Sequence, residues 1–327
     1  AEDDIIIGGA GLSGALDYLG ADSLGDLVPS ESGLSDVIDL FSGGTDSNTM
    51  YGEGGDDILI GGLSDNVMYG DYDHDYDALG DTEGAPGNDV LIGGLGVNNE
   101  MYGGEGEDLL IGGLNGDNTM SGGTDSDLLI GGLGGTNDMD GDTGADLLIG
   151  GLNSDNTMSG GADNDLLIGG LGGANDMSGD AGEDLLIGGL DSDNILSGGL
   201  DNDLLIGGLT GTNAMFGDEG EDLLIGGTLA TNTMAGGDGN DLLIGGLLDD
   251  TMDGGKGADL LLGLSGDDIM YGDEGVDFAA DGAGADLMFG GLGNDTMYGN
   301  GNNDLLFGGE GDDTLDGGYG VDLLFGG

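Results

Sequence analysis

The sequence contains no cysteine and no tryptophan, and among its 327 residues there is one histidine and one basic residue, Lys256. Without cysteine, disulfide bonds and thiolate metal sites are excluded. With His74 as the single histidine, zinc sites that need several histidines are excluded. The near absence of Lys and Arg removes the positive surface that binds nucleic acid or anionic lipid. No nucleic-acid partner is therefore expected.

Long apolar segments are missing as well. No run reaches the roughly 18 apolar residues that a membrane span needs, so no membrane insertion is expected. The sequence has only two prolines and no three-residue glycine period, which excludes collagen despite 83 glycines. There is no Arg to hold a phosphate and no Trp to stack against a sugar. We expect the chain not to be an enzyme.

Acidic residues dominate what remains. Asp and Glu number 67, which gives a formal net charge of -66. A compact state with that charge repels itself unless cations bind within it. Disorder is an alternative for such a composition. However, 37% of the residues are hydrophobic, and they recur with a strict period, which favours an ordered fold.

The period comes from internal repeats. Units that open with Asp-Leu-Leu-Ile-Gly-Gly recur every 19 residues from Asp127 to Asp241, and similar units then recur every 18 residues to Asp313. Each unit divides into two turns, for example a ten-residue turn at 150–159 and a nine-residue turn at 160–168. Two short strands per unit are therefore predicted, with glycine providing the tight turns between them.

The nine-residue turn resembles the Gly-Gly-x-Gly-x-Asp-x-hydrophobic-x nonapeptide of the repeats-in-toxin (RTX) family. The best matches are residues 290–298 and 308–316, and the resemblance extends over 43–327 with an interruption at 71–87. It implies an all-β fold: a right-handed parallel β-roll solenoid of 18–19-residue coils with two turns per coil. It also implies secretion and the binding of several Ca²⁺ ions.

In this family, the Asp at the sixth turn position and backbone carbonyls of neighbouring coils enclose each ion, a hard-oxygen site suited to Ca²⁺. The resemblance assigns this role to Asp57, Asp89 and Asp108, then on one edge of the roll to Asp127, Asp146, Asp165, Asp184, Asp203, Asp222, Asp241, Asp259, Asp277, Asp295 and Asp313. On the opposite edge it assigns the role to Asp268, Asp286, Asp304 and Asp322.

Two features depart from the family pattern. First, one extra acid per coil alternates between turn positions four and two, in Asp125, Asp142, Asp163, Asp180, Asp201 and Asp218. Staggering lengthens the distance between like charges, and Asp tolerates the left-handed backbone that position four requires. The pattern indicates either a modified calcium shell with a 38-residue period or a recent duplication of a two-coil unit.

Second, the ten-residue turns carry asparagine where the family has aspartate, and stacked amides can form a hydrogen-bonded ladder. Calcium is therefore expected mainly on one edge of residues 108–241. The asparagines are Asn118, Asn137, Asn156, Asn175, Asn194, Asn213 and Asn232.

The strand residues alternate between the core and the surface. Leu167 and its equivalents are predicted to be core from one sheet, and Met158 and its equivalents core from the other. Leu166 and Ile168 would then point outward in every coil and form an apolar stripe, which indicates that this face is covered, either by the same face of another copy or by other residues of this chain. If the pleat were inverted, these two residues would be core and one Leu per coil would be exposed.

The sequence divides into an irregular N-terminal cap (1–42), the first β-roll turns (43–70), an acidic insertion loop (71–87) and the main β-roll (88–327). The insertion contains Asp71, Asp73, Asp75 and Asp77, which indicate either a solvated loop or one loosely bound calcium. Residues 326–327 joined to 1–7 complete a nonapeptide in phase, so head-to-tail stacking of copies is expected, with a segment cut from a longer array as the alternative.

We therefore expect an extracellular, calcium-dependent structural protein that forms a filament, a sheath or a surface layer, or extends an adhesin. The alternative is a C-terminal calcium-binding tail of a type I-secreted enzyme or toxin. A surface that binds ice, mineral or glycan is a further alternative, although the outward residues of the Met-bearing sheet are too uneven for a flat threonine array.

Overall fold

A computed structural model describes residues 48–53, 55–71, 87–273 and 285–327. The chain forms two compact units, residues 1–155 and 156–327. In both units the described residues are strands and turns, and none of them is helical. Within this part of the chain, no helix has the length and hydrophobicity needed to cross a bilayer.

The described residues of the first unit form ten strands, each parallel to its neighbours within a sheet. The odd-numbered strands form one sheet and the even-numbered strands form the other. In chain order they are β1 (Asn48–Glu53), β2 (Ile58–Ile60), β3 (Asn66–Asp71), β4 (Val90–Ile92), β5 (Asn99–Glu105), β6 (Leu109–Ile111), β7 (Asn118–Thr124), β8 (Leu128–Ile130), β9 (Thr136–Thr143) and β10 (Leu147–Ile149).

The second unit has the same alternation, and the parallel β-solenoid architecture is confirmed in each unit. Its strands are β11 (Asp155–Ala162), β12 (Leu166–Ile168), β13 (Asn175–Ala181), β14 (Leu185–Ile187), β15 (Asn194–Leu200), β16 (Leu204–Ile206), β17 (Thr210–Glu219), β18 (Leu223–Ile225), β19 (Leu229–Asp238), β20 (Leu242–Ile244), β21 (Thr251–Lys256), β22 (Leu260–Ser265), β23 (Ile269–Asp273), β24 (Leu287–Leu292), β25 (Thr296–Tyr298), β26 (Leu305–Glu310), β27 (Thr314–Asp316) and β28 (Leu323–Phe325).

The core contains one residue from each sheet per coil, as predicted. Leu167, Leu186 and Leu205 are each 0% exposed, and Met158 and Met177 on the facing sheet are 1% exposed. Parallel pairing in register places each of these residues on its own equivalent in the next coil. The short strands are thereby stabilised by two continuous columns of apolar side chains.

The outward residues of the even-numbered strands form what we call the Leu-Ile face. Leu166 and Ile168 are partly exposed on either side of the buried Leu167, so the inverted pleat is wrong. From β2 to β28, each of these strands has an apolar residue at both outward positions. The odd-numbered strands instead present mixed residues such as Thr157, Ser159 and Asp176.

Two interruptions occur in the regular register. Leu59 pairs with Leu91, and Leu261 pairs with Met288, so each pairing passes over a segment longer than one coil. The first corresponds to the predicted insertion at 71–87, and the second was not predicted. The N-terminal cap, most of the acidic insertion with His74, Asp277, and residues 1–7 of the head-to-tail junction lie outside the described residues.

Candidate metal sites

Left-handed backbone recurs at the second and fourth positions of the nine-residue turns. In the turn before Asp165, Gly161 has φ 108° and Asp163 has φ 80°. All six alternating acids have φ between 71° and 80°, whether they lie at position two or position four: Asp125, Asp142, Asp163, Asp180, Asp201 and Asp218. The predicted left-handed backbone is confirmed at position four, and the structure extends it to position two.

The aspartates at turn position six form a column along one edge of each unit, which we call the aspartate ladder. The backbone N–H of each donates to Oδ1 of the equivalent Asp in the next coil at 2.7–3.0 Å. In the first unit its members are Asp57, Asp89, Asp108, Asp127 and Asp146; in the second they are Asp165, Asp184, Asp203, Asp222, Asp241, Asp259, Asp286, Asp304 and Asp322.

The second carboxylate oxygen, Oδ2, has a different environment. In the described part of the chain, the buried Oδ2 atoms of Asp184, Asp203 and Asp222 accept no hydrogen bond. A buried carboxylate oxygen without a donor is unfavourable. The same holds for Asp89, Asp108, Asp127, Asp241, Asp268, Asp295 and Asp313.

Glycine at turn position one leaves space beside this oxygen. A Cβ at Gly179 would collide with both Asp184 Oδ2 and the carbonyl oxygen of Gly198 in the next coil. Gly103 has the same relation to Asp108 Oδ2 and the carbonyl oxygen of Gly122. These position-one glycines therefore lie in cradles that bring a carboxylate oxygen and a carbonyl oxygen together.

Burial changes the proton affinity of these carboxylates. Burial raises the pKa of Asp108 to about 7, although the backbone N–H of Asp89 donates to it and lowers the pKa in part. Burial likewise raises the pKa of Asp127 to about 8 and those of Asp203 and Asp241 to about 7, and neighbouring carboxylates add to the increase. In the absence of a bound cation, burial therefore favours the protonated form of these four carboxyl groups.

These residues fit calcium. Ca²⁺ binds six to eight hard oxygens and accepts both carboxylates and carbonyls, and each cradle offers one of each from adjacent coils. Among the described residues no three acidic or histidine side chains converge on one point. The Asp carboxylate and the glycine carbonyls of a cradle would hold an ion. The positive charge of the ion would balance the negative charge of the buried Oδ2.

The predicted division of aspartates between the two edges is wrong beyond Asp259. Asp259 N–H donates to Asp286, and Asp268 N–H donates to Asp295, each a step of 27 residues. Such a step is nine residues longer than an 18-residue coil, so counting by 18 moves every later aspartate to the opposite edge. Asp295 and Asp313 therefore lie with Asp268, while Asp286, Asp304 and Asp322 lie with Asp259.

The opposite edge carries the predicted amide column, which we call the asparagine ladder. Nδ2 of each Asn donates to Oδ1 of the next at 2.9 Å. Its members are Asn66, Asn99, Asn118 and Asn137 in the first unit and Asn156, Asn175, Asn194, Asn213 and Asn232 in the second. Sequence reasoning missed Asn66 and Asn99, although both precede a core Met by two residues, as Asn118 does.

Asp250 ends the asparagine ladder. Its Oδ1 accepts both the side-chain Nδ2 and the backbone N–H of Asn232, each at 2.8 Å, and its Oδ2 accepts the N–H of Gly246 at 2.5 Å. Its own N–H donates to Asp268 Oδ1 at 2.9 Å, as in the aspartate ladder. Sequence reasoning missed Asp250, which also precedes a core Met, Met252, by two residues.

The alternating acids have a partner in every second coil. Ser121, Ser159 and Ser197 each donate a side-chain hydrogen bond to the position-two acid of the next coil. The acceptors are Asp142, Asp180 and Asp218. The 38-residue period therefore corresponds to a repeated serine–aspartate contact.

The comparison with known families gives one match. The family model of the RTX calcium-binding nonapeptide repeat matches most of the chain, and the nonapeptides of that family bind calcium. No curated protein matches the chain. The matched segments are 38–76, 83–117, 102–136, 113–148, 150–186, 170–205, 227–261, 244–279, 262–297, 271–306 and 298–327.

Proposed function

This chain belongs to the RTX calcium-binding nonapeptide repeat family, and we propose that it is a secreted, non-catalytic structural protein that assembles laterally into a filament, sheath or surface layer. The Leu-Ile face carries this proposal. In a chain with a net charge of -66, the two residues that flank the inward-pointing residue at the start of every described even-numbered strand are apolar. An uncharged stripe of this regularity favours contact with a surface of the same kind.

The second copy is the partner that fits the face best. Two copies have the same strand spacing, so the outward rows of one can pack between the rows of the other. Charge repulsion would oppose contact elsewhere on the surface, and it is absent from the face itself. Calcium at the aspartate ladder would reduce the remaining repulsion between copies.

The size of the face favours many weak contacts over one tight dimer. In the second unit, nine strands at about 4.8 Å spacing and three residues at about 3.3 Å each give about 43 Å by 10 Å. Pairing would bury roughly 900 Å² in total, below the roughly 1,200–2,000 Å² of a standard stable interface. A lattice or fibre that repeats the contact along many copies fits this size better than an isolated dimer.

Six substitutions test the assembly: Leu166, Ile168, Leu185, Ile187, Leu204 and Ile206, each replaced by Thr. Threonine keeps the β-propensity of the strand and removes the apolar contact. We expect the natural chain in millimolar calcium to form large species in sedimentation velocity, and the variant to sediment as a monomer with unchanged circular dichroism.

The matched control is Ile195→Thr with Phe216→Thr, which removes exposed apolar residues from the other sheet. It should assemble like the natural chain. A natural chain that stays monomeric in calcium at tens of micromolar would contradict the proposal, as would equal loss of assembly in both variants.

A further inference from the structure

We propose that the asparagine ladder closes its edge to calcium, so that residues 99–232 bind metal on the aspartate ladder alone, and that the closed edge becomes a metal-binding edge from Asp268 onward. This proposal concerns the metal sites of the folded chain and does not depend on lateral assembly.

The first observation is that the side-chain amides use their own hydrogen-bonding capacity fully. Asn194 Oδ1 accepts the N–H of Gly189 at 2.8 Å and Nδ2 of Asn175 at 2.9 Å. Its Nδ2 donates to Asn213 Oδ1 at 2.9 Å and to the carbonyl oxygen of Gly189 at 3.2 Å. Two acceptor and two donor functions are thus satisfied within the ladder.

The second observation is the contrast between the edges of the same coils. The described aspartate ladder has buried Oδ2 atoms that accept no hydrogen bond, as at Asp184 and Asp203. In the same part of the chain, no asparagine has such a buried atom. The amide N–H groups take the place beside the glycine carbonyls that a cation would take on the other edge.

A cation at the asparagine ladder would face two penalties. It would have to displace amide N–H donors that already satisfy the carbonyl oxygens, and it would gain no carboxylate charge in return. Calcium affinity in proteins increases with the number of charged oxygen ligands. Aligned amide dipoles with their N–H ends toward the carbonyls therefore exclude Ca²⁺ instead of binding it.

The third observation is the change at Asp250. On this edge, Asp250 still accepts the N–H of Gly246 and the amide of Asn232, as an asparagine would accept them. The next member, Asp268, instead has a buried Oδ2 that accepts no hydrogen bond in the described part of the chain, and a Cβ at Gly263 would collide with it and with the Gly290 carbonyl. Among the described residues from 99 onward, metal cradles therefore occur on both edges only after this point.

The test counts the Ca²⁺ ions bound to the full chain at saturating calcium by native mass spectrometry. One variant combines Asp184→Asn, Asp203→Asn and Asp222→Asn, and its match in the same coils combines Asn175→Ser, Asn194→Ser and Asn213→Ser. We expect the first to lose about three ions, and the second to keep the natural number of ions while unfolding at a lower temperature.

A third variant, Asp268→Asn with Asp295→Asn, lies on the edge of the asparagine ladder but beyond the change, and it should lose about two ions. If a triple variant fails to fold in calcium, Asp203→Asn and Asn194→Ser alone give the same comparison. Loss of ions from the asparagine variant would overturn the proposal, and so would full retention in the third variant.

Discussion

Glycine at turn position one is the residue on which each calcium cradle depends. The backbone conformation at Gly179 would allow a residue other than glycine, because its φ is not in the left-handed region. The space is the constraint, because the carboxylate of Asp184 and the carbonyl of Gly198 both lie where a side chain would begin. Replacing this glycine changes the space in the cradle and leaves the carboxylate of the aspartate in place, so the two contributions can be measured separately.

Gly179→Ala should therefore weaken calcium-induced folding. Its Cβ has to push apart the two oxygens that would hold the ion, and such steric conflicts cost about 1–3 kcal/mol. The free calcium concentration at the folding midpoint, followed by circular dichroism, should increase. Gly326→Ala is the control, because no atom lies within 4 Å of a Cβ at that position, and its midpoint should not change. Equal midpoints for both variants would contradict the role of the cradle.

The short strands are stabilised as a column and not individually. A three-residue strand such as β14 has little stability alone, but its Leu186 is packed between Leu167 and Leu205 in the neighbouring coils. The coils cannot shift relative to one another without breaking both ladders. The stack therefore has little freedom to close a cavity in its core.

Leu186→Ala should consequently lower the free energy of unfolding in calcium by about 2–5 kcal/mol, the range for cavities that relax little. Met177→Leu, at a core position on the facing sheet, keeps the volume and should cost less than about 1.5 kcal/mol. Denaturant unfolding at fixed free calcium measures both. A cost for Leu186→Ala no greater than that of Met177→Leu would show that the core is loosely packed.

The core columns, the Leu-Ile face and the asparagine ladder were predictable because a strict period makes each residue lie on its own equivalent. The edge to which Asp295 and Asp313 belong was not predictable in the same way. A step of 27 residues replaces one of 18 after Asp259, and nothing in the local motif shows where a step is nine residues longer. The contrast between a buried Oδ2 that accepts no hydrogen bond, as at Asp184, and the fully hydrogen-bonded amide of Asn194 was also not predictable, because both depend on contacts between coils.

At the scale of the whole molecule, folding is linked to both calcium and protons. Millimolar calcium would neutralise the aspartate ladder, whereas removal of calcium would leave its charges unbalanced. A site that exists only in the folded state adds its binding free energy to folding. In excess chelator at pH 8 we expect the β signal in circular dichroism to be lost.

Protonation of the aspartate ladder at low pH should provide part of the stabilisation that calcium provides at neutral pH. Without metal, burial raises the pKa of Asp108, Asp203 and Asp241 to about 7 and that of Asp127 to about 8 in the fold, while an unfolded Asp has a pKa near 3.9. The folded chain therefore binds more protons than the unfolded chain between about pH 4 and pH 8. A carboxyl group whose pKa is higher in the folded state than in the unfolded state stabilises the fold at a pH below its unfolded-state pKa. This stabilisation is lost as the pH rises through its folded-state pKa.

Titration in chelator from pH 8 to pH 5 should accordingly restore β structure with an uptake of protons, which potentiometry measures alongside circular dichroism. The control variant, Asp184→Asn with Asp203→Asn and Asp222→Asn, lacks three of the buried carboxyls and should take up fewer protons over the same range. In saturating calcium the direction reverses, because protons then compete with the ion for the same oxygens and acid weakens calcium binding. A metal-free chain that remains unfolded at every pH down to 5 would show that the raised pKa values of the ladder do not stabilise the fold.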